Sequence, residues 1–77
     1  MRNKKVSEMR RVNDNGTTIY YNERGYRDRS DGPAFITSSG EEFWFVNGIL
    51  HRDDGPAVIY FNGAEEYYHD GIPLMVK

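Results

Sequence analysis

The chain has no cysteine, which excludes a disulfide framework and any zinc site with cysteine ligands. Its two histidines are too few to build a metal cage, so the sequence predicts neither a metal nor a cofactor. No apolar run approaches the ~20 residues that span a membrane, and no apolar signal-peptide segment follows the basic N-terminus. We therefore expect a cytoplasmic protein without a transmembrane segment.

The chain also offers little material for a core. Its 77 residues make one domain at most, and a chain of this size buries only about 60–65% of its unfolded surface. Six tyrosines, four phenylalanines and one tryptophan provide the largest burial per residue. We therefore expect stability to come from aromatic burial and self-association.

Excess positive charge is confined to the start of the chain. Residues 1–11 carry five basic side chains and one acidic one, whereas residues 12–77 carry five basic and eleven acidic side chains. We expect a basic N-terminal arm over residues 1–13 and a β-repeat domain over residues 14–77. The arm could contact nucleic acid or an anionic membrane, and the acidic body disfavours nucleic acid elsewhere.

A repeat is the strongest feature of the sequence. The tetrapeptide Asp-Gly-Pro-Ala at 31–34 returns at 54–57, a step of 23 residues. The same step relates two sets of glycines, namely Gly25, Gly48 and Gly71, and Gly40 and Gly63. Such a period is typical of units that each bury their apolar face against a neighbour. We predict full copies at 25–47 and 48–70, with half-units at both ends.

Turn signals and β-prone runs alternate along the domain. Asn-Gly, Asp-Gly and Ser-Gly dipeptides favour tight hairpin turns, because Asn, Asp and Gly tolerate positive φ. The runs between them are rich in aromatic and β-branched residues. We predict an all-β antiparallel meander of about eight short strands built from 23-residue hairpin repeats. The predicted strands are 17–22, 26–29, 34–37, 42–46, 49–52, 57–61, 65–69 and 72–76.

The repeated tetrapeptide predicts a corner in each copy. Proline begins a strand where its missing N–H does least harm, and the aspartate accepts nearby backbone N–H groups. Arg29 and Arg52 are positioned to pair with the aspartates. One extra residue in the first half-unit predicts a β-bulge between Tyr20 and Arg24. The residues assigned to the structural repeat are Gly25, Gly48, Gly71, Asp31, Asp54, Pro33, Pro56 and Trp44.

Alternation along the strands gives the sheet two apolar faces. We assign to the inner face the residues that match between copies, Tyr26, Ala34, Ile36, Trp44, Ile49, Ala57, Ile59, Tyr67 and Ile72. An aromatic second face favours a protein partner, and the simplest partner is another copy, giving a homodimer. The predicted partner-binding residues are Phe35, Phe43, Phe45, Tyr60 and Tyr68, with Arg27 and Arg52 at the rim.

The string His-Arg-Asp-Asp-Gly-Pro-Ala at 51–57, between Trp44 and Gly63, resembles the MORN-type repeat variants of small bacteriophage and bacterial proteins. The resemblance covers residues 16–77. It implies a meandering β-sheet and a binding role, and a phage origin would imply a host-cell location and inhibition of a bacterial defence or host protein. The first copy has Asp28 where the second has His51, so His51 is not a repeated site residue.

The sequence predicts no catalytic residue and no enzyme. His51 is interpreted as a structural hydrogen-bonding residue, and the glutamate pairs at 41–42 and 65–66 as surface charges, since neighbours along a strand cannot flank one bond. The expected function is a protein-binding module, a phage-encoded inhibitor that blocks a bacterial target sterically. The alternatives are an antitoxin or immunity-like protein, binding of nucleic acid or anionic lipid through the arm, and a ligand- or nucleotide-binding oligomer. The last would use Arg29, Arg52, Tyr26 and Trp44.

Overall fold

A computed structural model describes residues 10–74 of the chain, with side chains from residue 13 onward. Over that range the protein is all-β, as predicted, with ten short antiparallel strands and no helix. The strands are β1 (Arg10–Asp14), β2 (Thr17–Tyr21), β3 (Phe35–Ile36), β4 (Glu42–Phe43), β5 (Phe45–Val46), β6 (Ile49–Leu50), β7 (Val58–Ile59), β8 (Glu65–Glu66), β9 (Tyr68–His69) and β10 (Ile72–Pro73). Residues 10–13 of the predicted arm pair with β2, and residues 1–9 lie outside the described part.

Two hairpins branch from one main sheet. Six strands form the sheet in the order β1-β2-β3-β4-β7-β8, while β5–β6 and β9–β10 pair separately. The first hairpin leaves the sheet at Trp44, whose N–H donates to the Ala57 carbonyl (2.7 Å) and whose carbonyl accepts from the His51 N–H (3.0 Å). Because the two backbone groups of Trp44 bond to different neighbours, the predicted strand 42–46 divides in two. The predicted strand 65–69 is also divided, at Tyr67, whose carbonyl accepts from the Leu74 N–H (2.8 Å).

The prediction of a strand at 26–29 is wrong. The segment divides its backbone hydrogen bonds between two different neighbours. Arg27 forms an isolated bridge with Tyr21. On the other side the Arg29 N–H donates to the Phe45 carbonyl (3.3 Å), and the Arg27 carbonyl accepts from the Gly48 N–H (2.8 Å). A strand ladder requires successive pairs with one partner. This segment instead connects the main sheet to the β5–β6 hairpin.

The turns fall into two kinds. In the first, a positive-φ Asn or Asp precedes a positive-φ glycine, the conformation of a type I′ hairpin turn. These pairs are Asn15-Gly16 (53°, 80°), Asn47-Gly48 (49°, 80°) and Asp70-Gly71 (52°, 81°). In the second, a left-handed glycine donates its N–H to the carbonyl three residues earlier, as in a type I turn followed by a bulge. These glycines are Gly25 (88°), Gly40 (93°) and Gly63 (89°).

Gly25 shares the 23-residue spacing of Gly48 and Gly71 but adopts a different turn. Gly25 follows the second kind of turn, in which its N–H donates to the Asn22 carbonyl (2.9 Å) and the Asn22 N–H donates to the Tyr26 carbonyl (2.9 Å). The Asn22 side chain accepts from the backbone N–H of Arg24 at 2.9 Å. This wider turn accommodates the extra residue, so the bulge glycine lies just after the predicted interval.

The buried core is very small. Among residues 13–74 the buried apolar side chains are Ala34, Ala57 and Val58. The inner-face assignment is wrong for three of its members, Tyr26, Ile49 and Ile72, which are 51%, 48% and 64% exposed. Each of these follows a turn glycine with positive φ, and Tyr26 and Ile49 lie over Gly48 and Gly71 of the next unit. The result is a thin molecule, 37 × 32 × 15 Å, whose larger aromatic side chains are mostly half-buried.

Candidate functional site

A row of three aromatic rings in contact lies across the main sheet. The Phe35 and Phe43 rings lie 5.3 Å apart, and the Tyr60 ring meets Phe43 edge-on at 6.5 Å. Arg27 links this row to the branching hairpin, because its guanidinium lies 4.7 Å from the Phe35 ring and 5.6 Å from the Phe45 ring. Such ring pairs and cation–π contacts each contribute about 0.5–1.5 kcal/mol.

The row continues through a carboxylate to a further tyrosine. The Tyr68 hydroxyl donates to Glu66 Oε1 at 3.1 Å, and that hydrogen bond raises the pKa of Tyr68. Burial, followed by the charge of Glu66, raises the pKa of Tyr60. We call Arg27, Phe35, Phe43, Phe45, Tyr60 and Tyr68 the aromatic ladder, and all six side chains are half-buried.

Strand register builds the aromatic ladder from residues far apart in sequence. Phe35 of β3 is paired with Phe43 of β4, which is paired in turn with Val58 of β7. Phe43 and Phe45 contribute to the ladder, while Trp44 between them contacts Arg52 instead. Six of the seven predicted partner-binding residues are therefore brought together. The seventh, Arg52, belongs to a different structure.

That structure is a corner built around each repeated tetrapeptide. In the second corner Arg52 stacks on the Trp44 ring at 3.8 Å. Its Nε donates to Asp54 Oδ1 (3.1 Å) and its Nη1 to the Pro56 carbonyl (3.0 Å). A Cβ atom on Gly55 would lie 2.9 Å from Arg52 Cζ, so glycine makes room for the guanidinium. The motif thus specifies one packed arginine.

The first corner repeats this arrangement with tyrosine in place of tryptophan. Arg29 lies 4.0 Å from the Tyr20 ring, donates to the Pro33 carbonyl (3.2 Å) and approaches Asp31 Oδ1 at 3.6 Å. A Cβ atom on Gly32 would lie 2.8 Å from Arg29 Cζ. Both predicted ion pairs are confirmed. Their exposed carboxylates limit each pair to about 0–1 kcal/mol.

One residue in each copy accepts a backbone N–H from the next type I′ turn. Asp28 Oδ2 accepts from the Asn47 N–H at 2.9 Å and also from Asn22 Nδ2 at 3.0 Å. In the second copy His51 Nδ1 accepts from the Asp70 N–H at 3.0 Å. His51 therefore has the structural hydrogen bond that the sequence predicted. Sequence reasoning missed the buried Asp28 network, whose one available signal was the replacement of His by Asp at this repeat position.

A groove of about 400 Å³ runs between the two corners. It brings together Arg29, Trp44 and Arg52 of the predicted ligand site, whereas Tyr26 packs over Gly48. Both guanidiniums are already hydrogen-bonded to backbone carbonyls. Three carboxylates, Asp53, Asp54 and Asp70, also line the groove. The groove therefore suits a cation better than a phosphate.

Comparison of the chain with protein-family models, curated proteins and solved structures finds no match. Within the part of the chain that the structure describes, no helix is long and apolar enough to cross a membrane.

Proposed function

We propose that the β domain is a non-enzymatic protein-binding module and that the aromatic ladder is its contact surface. The module acts sterically, by covering a functional surface of its target. The resemblance to phage and bacterial repeat proteins favours a bacterial protein as that target and a phage-encoded inhibitor as the role.

One observation carries this proposal: the aromatic ladder on a molecule with a very small core. Tyrosine, tryptophan and arginine dominate the binding energy of protein interfaces, and aromatic side chains are enriched there. The ladder combines five aromatic rings with Arg27, whose guanidinium already lies over two of the rings. A partner that covered the row would add the apolar burial that a sheet with three buried apolar residues among 13–74 lacks.

The charged residues of the described chain support a binding role over a catalytic one. The corner arginines are hydrogen-bonded to the carbonyls of Pro33 and Pro56, and His51 accepts from the Asp70 backbone. These groups maintain turns and corners, so each already has a local structural task. Binding of nucleic acid or lipid through the basic arm would involve residues 1–13, of which 1–9 lie outside the described part.

The test combines light scattering with site-specific crosslinking. A photoreactive phenylalanine analogue replaces Tyr60 on the ladder or, as a matched control, Phe61, which is 72% exposed and lies outside the ladder. We expect crosslinking to one protein from Tyr60 and none to that protein from Phe61. Phe45→Asp abolishes the crosslink, while Phe61→Asp preserves it and both variants retain the native circular dichroism.

Light scattering at several concentrations identifies the partner class. A dimer that Phe45→Asp dissociates means that the ladder binds a second copy, whereas a monomer that crosslinks at Tyr60 in bacterial cells means a foreign target. A monomer that shows no ladder-specific crosslink contradicts the proposal. Removal of residues 1–9 serves as a further control, because it removes three of the five basic side chains of residues 1–11 and would weaken binding through the arm, whereas binding through the ladder would be retained.

A further inference from the structure

Two histidines and an aspartate converge beside the second corner, although they are distributed over 19 residues. His51 follows β6 and His69 ends β9, two strands of neighbouring hairpins that the bond from the Arg52 N–H to the Tyr68 carbonyl (3.3 Å) holds side by side. Their rings lie 4.6 Å apart. Asp53 Oδ1 lies 2.9 Å from His51 Nε2 and 3.7 Å from His69 Nδ1.

These three side chains present one ligand atom each, and all three atoms lie within 4.8 Å of one another. Tetrahedral zinc with ligands near 2.1 Å requires ligand atoms about 3.4 Å apart. The two measured separations from Asp53 fall on either side of that value, and the Asp53 and His69 side chains are exposed enough to adjust, at 78% and 55%. Two imidazoles with one carboxylate form a donor set that zinc accepts, with water in the fourth position.

We propose that His51, Asp53 and His69, the His–Asp–His cluster, form a binding site for a divalent transition-metal ion of the zinc class. From the sequence, two histidines were too few to form a metal site. The sequence does not show that the Asp53 carboxylate lies between them. Asp70, which lines the same groove, adds a further carboxylate nearby and favours a cation. Asp54 does not contribute in this way, because it is paired with Arg52.

The cluster also has an outer partner that orients one ligand. His51 Nδ1 accepts from the Asp70 N–H, so the ring carries its proton on Nε2, where it faces Asp53. A metal at Nε2 displaces that proton, and the neutral ring then holds its proton on Nδ1. From there it donates to Asp70 Oδ1, 3.3 Å away. This arrangement of carboxylate, histidine and metal is common in zinc sites, and here it exchanges one hydrogen bond to the Asp70-Gly71 turn for another.

The first repeat copy provides an internal comparison. The positions 23 residues before His51, Asp53 and His69 are Asp28, Ser30 and Val46. These residues provide no imidazole, so the site belongs to the second copy alone. The corner itself is present in both copies, whereas the His–Asp–His cluster is present in one. The proposed metal site is therefore not part of the structural role of the repeat.

Calorimetric titration of zinc chloride into the full chain tests the proposal. We expect one saturable site with a dissociation constant below about 1 mM. Three variants weaken binding at least about tenfold, since loss even of an outer partner costs 10–100-fold: His51→Asn, which retains an acceptor for the Asp70 N–H, Asp53→Asn and His69→Ala. Asp54→Asn is the matched control, since it removes a carboxylate of the same groove outside the cluster, and it leaves the affinity within about twofold.

Nitrogen-detected spectroscopy of the histidines provides an independent readout. Without zinc we expect the His51 proton on Nε2, and with zinc we expect it on Nδ1, together with a shift of the Asp70 amide signal. Failure to saturate up to about 1 mM zinc overturns the proposal. So does saturable binding that survives both His51→Asn and His69→Ala in folded protein, because the ion would then bind elsewhere on the chain.

Discussion

The two repeat copies place different chemistry on the same backbone. Asp28 and His51 occupy equivalent positions, and each accepts an N–H from the type I′ turn that follows, at 2.9 and 3.0 Å. Asp28 is 1% exposed and receives a second bond from Asn22, whereas the His51 side chain is 16% exposed and faces Asp53. Both copies thus retain the hydrogen bond to the following turn, which holds neighbouring hairpins together. The residue that accepts this bond determines whether the position is closed, meaning buried and fully bonded as at Asp28, or available to another group, as at His51.

The largest expected effect is the loss of the acceptor in the first copy. Asp28→Ala leaves the Asn22 amide and the Asn47 N–H without their common acceptor, and we expect it to lower the free energy of unfolding by about 2–4 kcal/mol, because each buried donor left unpaired costs about 1–3 kcal/mol. His51→Ala, at a more solvated position, costs about 1 kcal/mol. Urea unfolding followed by the fluorescence of Trp44, the single tryptophan, measures both.

Asp28→Asn is the control for this comparison, because it retains one acceptor oxygen and should cost less than Asp28→Ala. If His51→Ala proves more destabilising than Asp28→Ala, the contrast between a closed and an available position is incorrect.

A smaller effect compares the corners themselves. Gly55→Ala places a Cβ atom where the Arg52 guanidinium lies, and we expect a loss of about 1–2 kcal/mol from the displaced cation–π contact and charged hydrogen bonds. In an Arg52→Ala background the same change costs less than about 0.5 kcal/mol, because no guanidinium remains to displace. Gly32→Ala costs less than Gly55→Ala, since tryptophan binds a cation better than tyrosine does.

Equal costs of Gly55→Ala in both backgrounds would contradict this account. Glycine would then be required for its backbone and not for the space that it leaves to arginine.

The smallest expected effect concerns the far end of the aromatic ladder. Because Glu66 raises the pKa of Tyr68 and contributes to raising that of Tyr60, the folded state favours the protonated phenols. Stability from these tyrosines is therefore complete below their unfolded pKa near 10 and is lost as the pH rises through the higher folded values. Glu66→Gln lowers both pKa values in an ultraviolet titration of tyrosinate. The control Glu23→Gln, in the turn at 22–25, leaves both pKa values unchanged. If the Glu66→Gln titration matches the native one, Glu66 is not the group that raises the pKa values of these tyrosines.

Much of the fold could be predicted because its signals are local. Tight turns form at the predicted Asn-Gly, Asp-Gly and Ser-Gly pairs, although Asn62-Gly63 adopts the second kind of turn and not type I′. The corner ion pairs join residues two positions apart, such as Arg52 and Asp54. The extra residue before Gly25 was also visible as a spacing. The spacing did not show whether the extra residue widens the turn or forms a bulge within the strand, because either accommodates one residue equally well. The contacts of the Asn22 side chain determine which of the two forms.

The candidate surfaces could be predicted only in part. Alternation placed Phe43 and Phe45 on one face and Trp44 on the other, which is why most of the ladder was found. Arg52 does not lie in the ladder, because its guanidinium stacks on the Trp44 ring. Alternation along the strands does not predict this contact. The His–Asp–His cluster was missed because its members meet only when two hairpins lie side by side.

The sequence by itself determined where the hairpin turns fall, the ion pairs of the two corners and the all-β class, since these depend on dihedral preferences and on hydrogen bonds between residues two to four positions apart. The tertiary structure decided which strands branch at Trp44, which apolar residues remain exposed and which distant groups meet. Contacts such as Asn22 with Asn47, 25 residues apart, depend on strand register, and a slip of one residue would reverse every face. Register is a property of the whole sheet, so no local segment of the sequence specifies it.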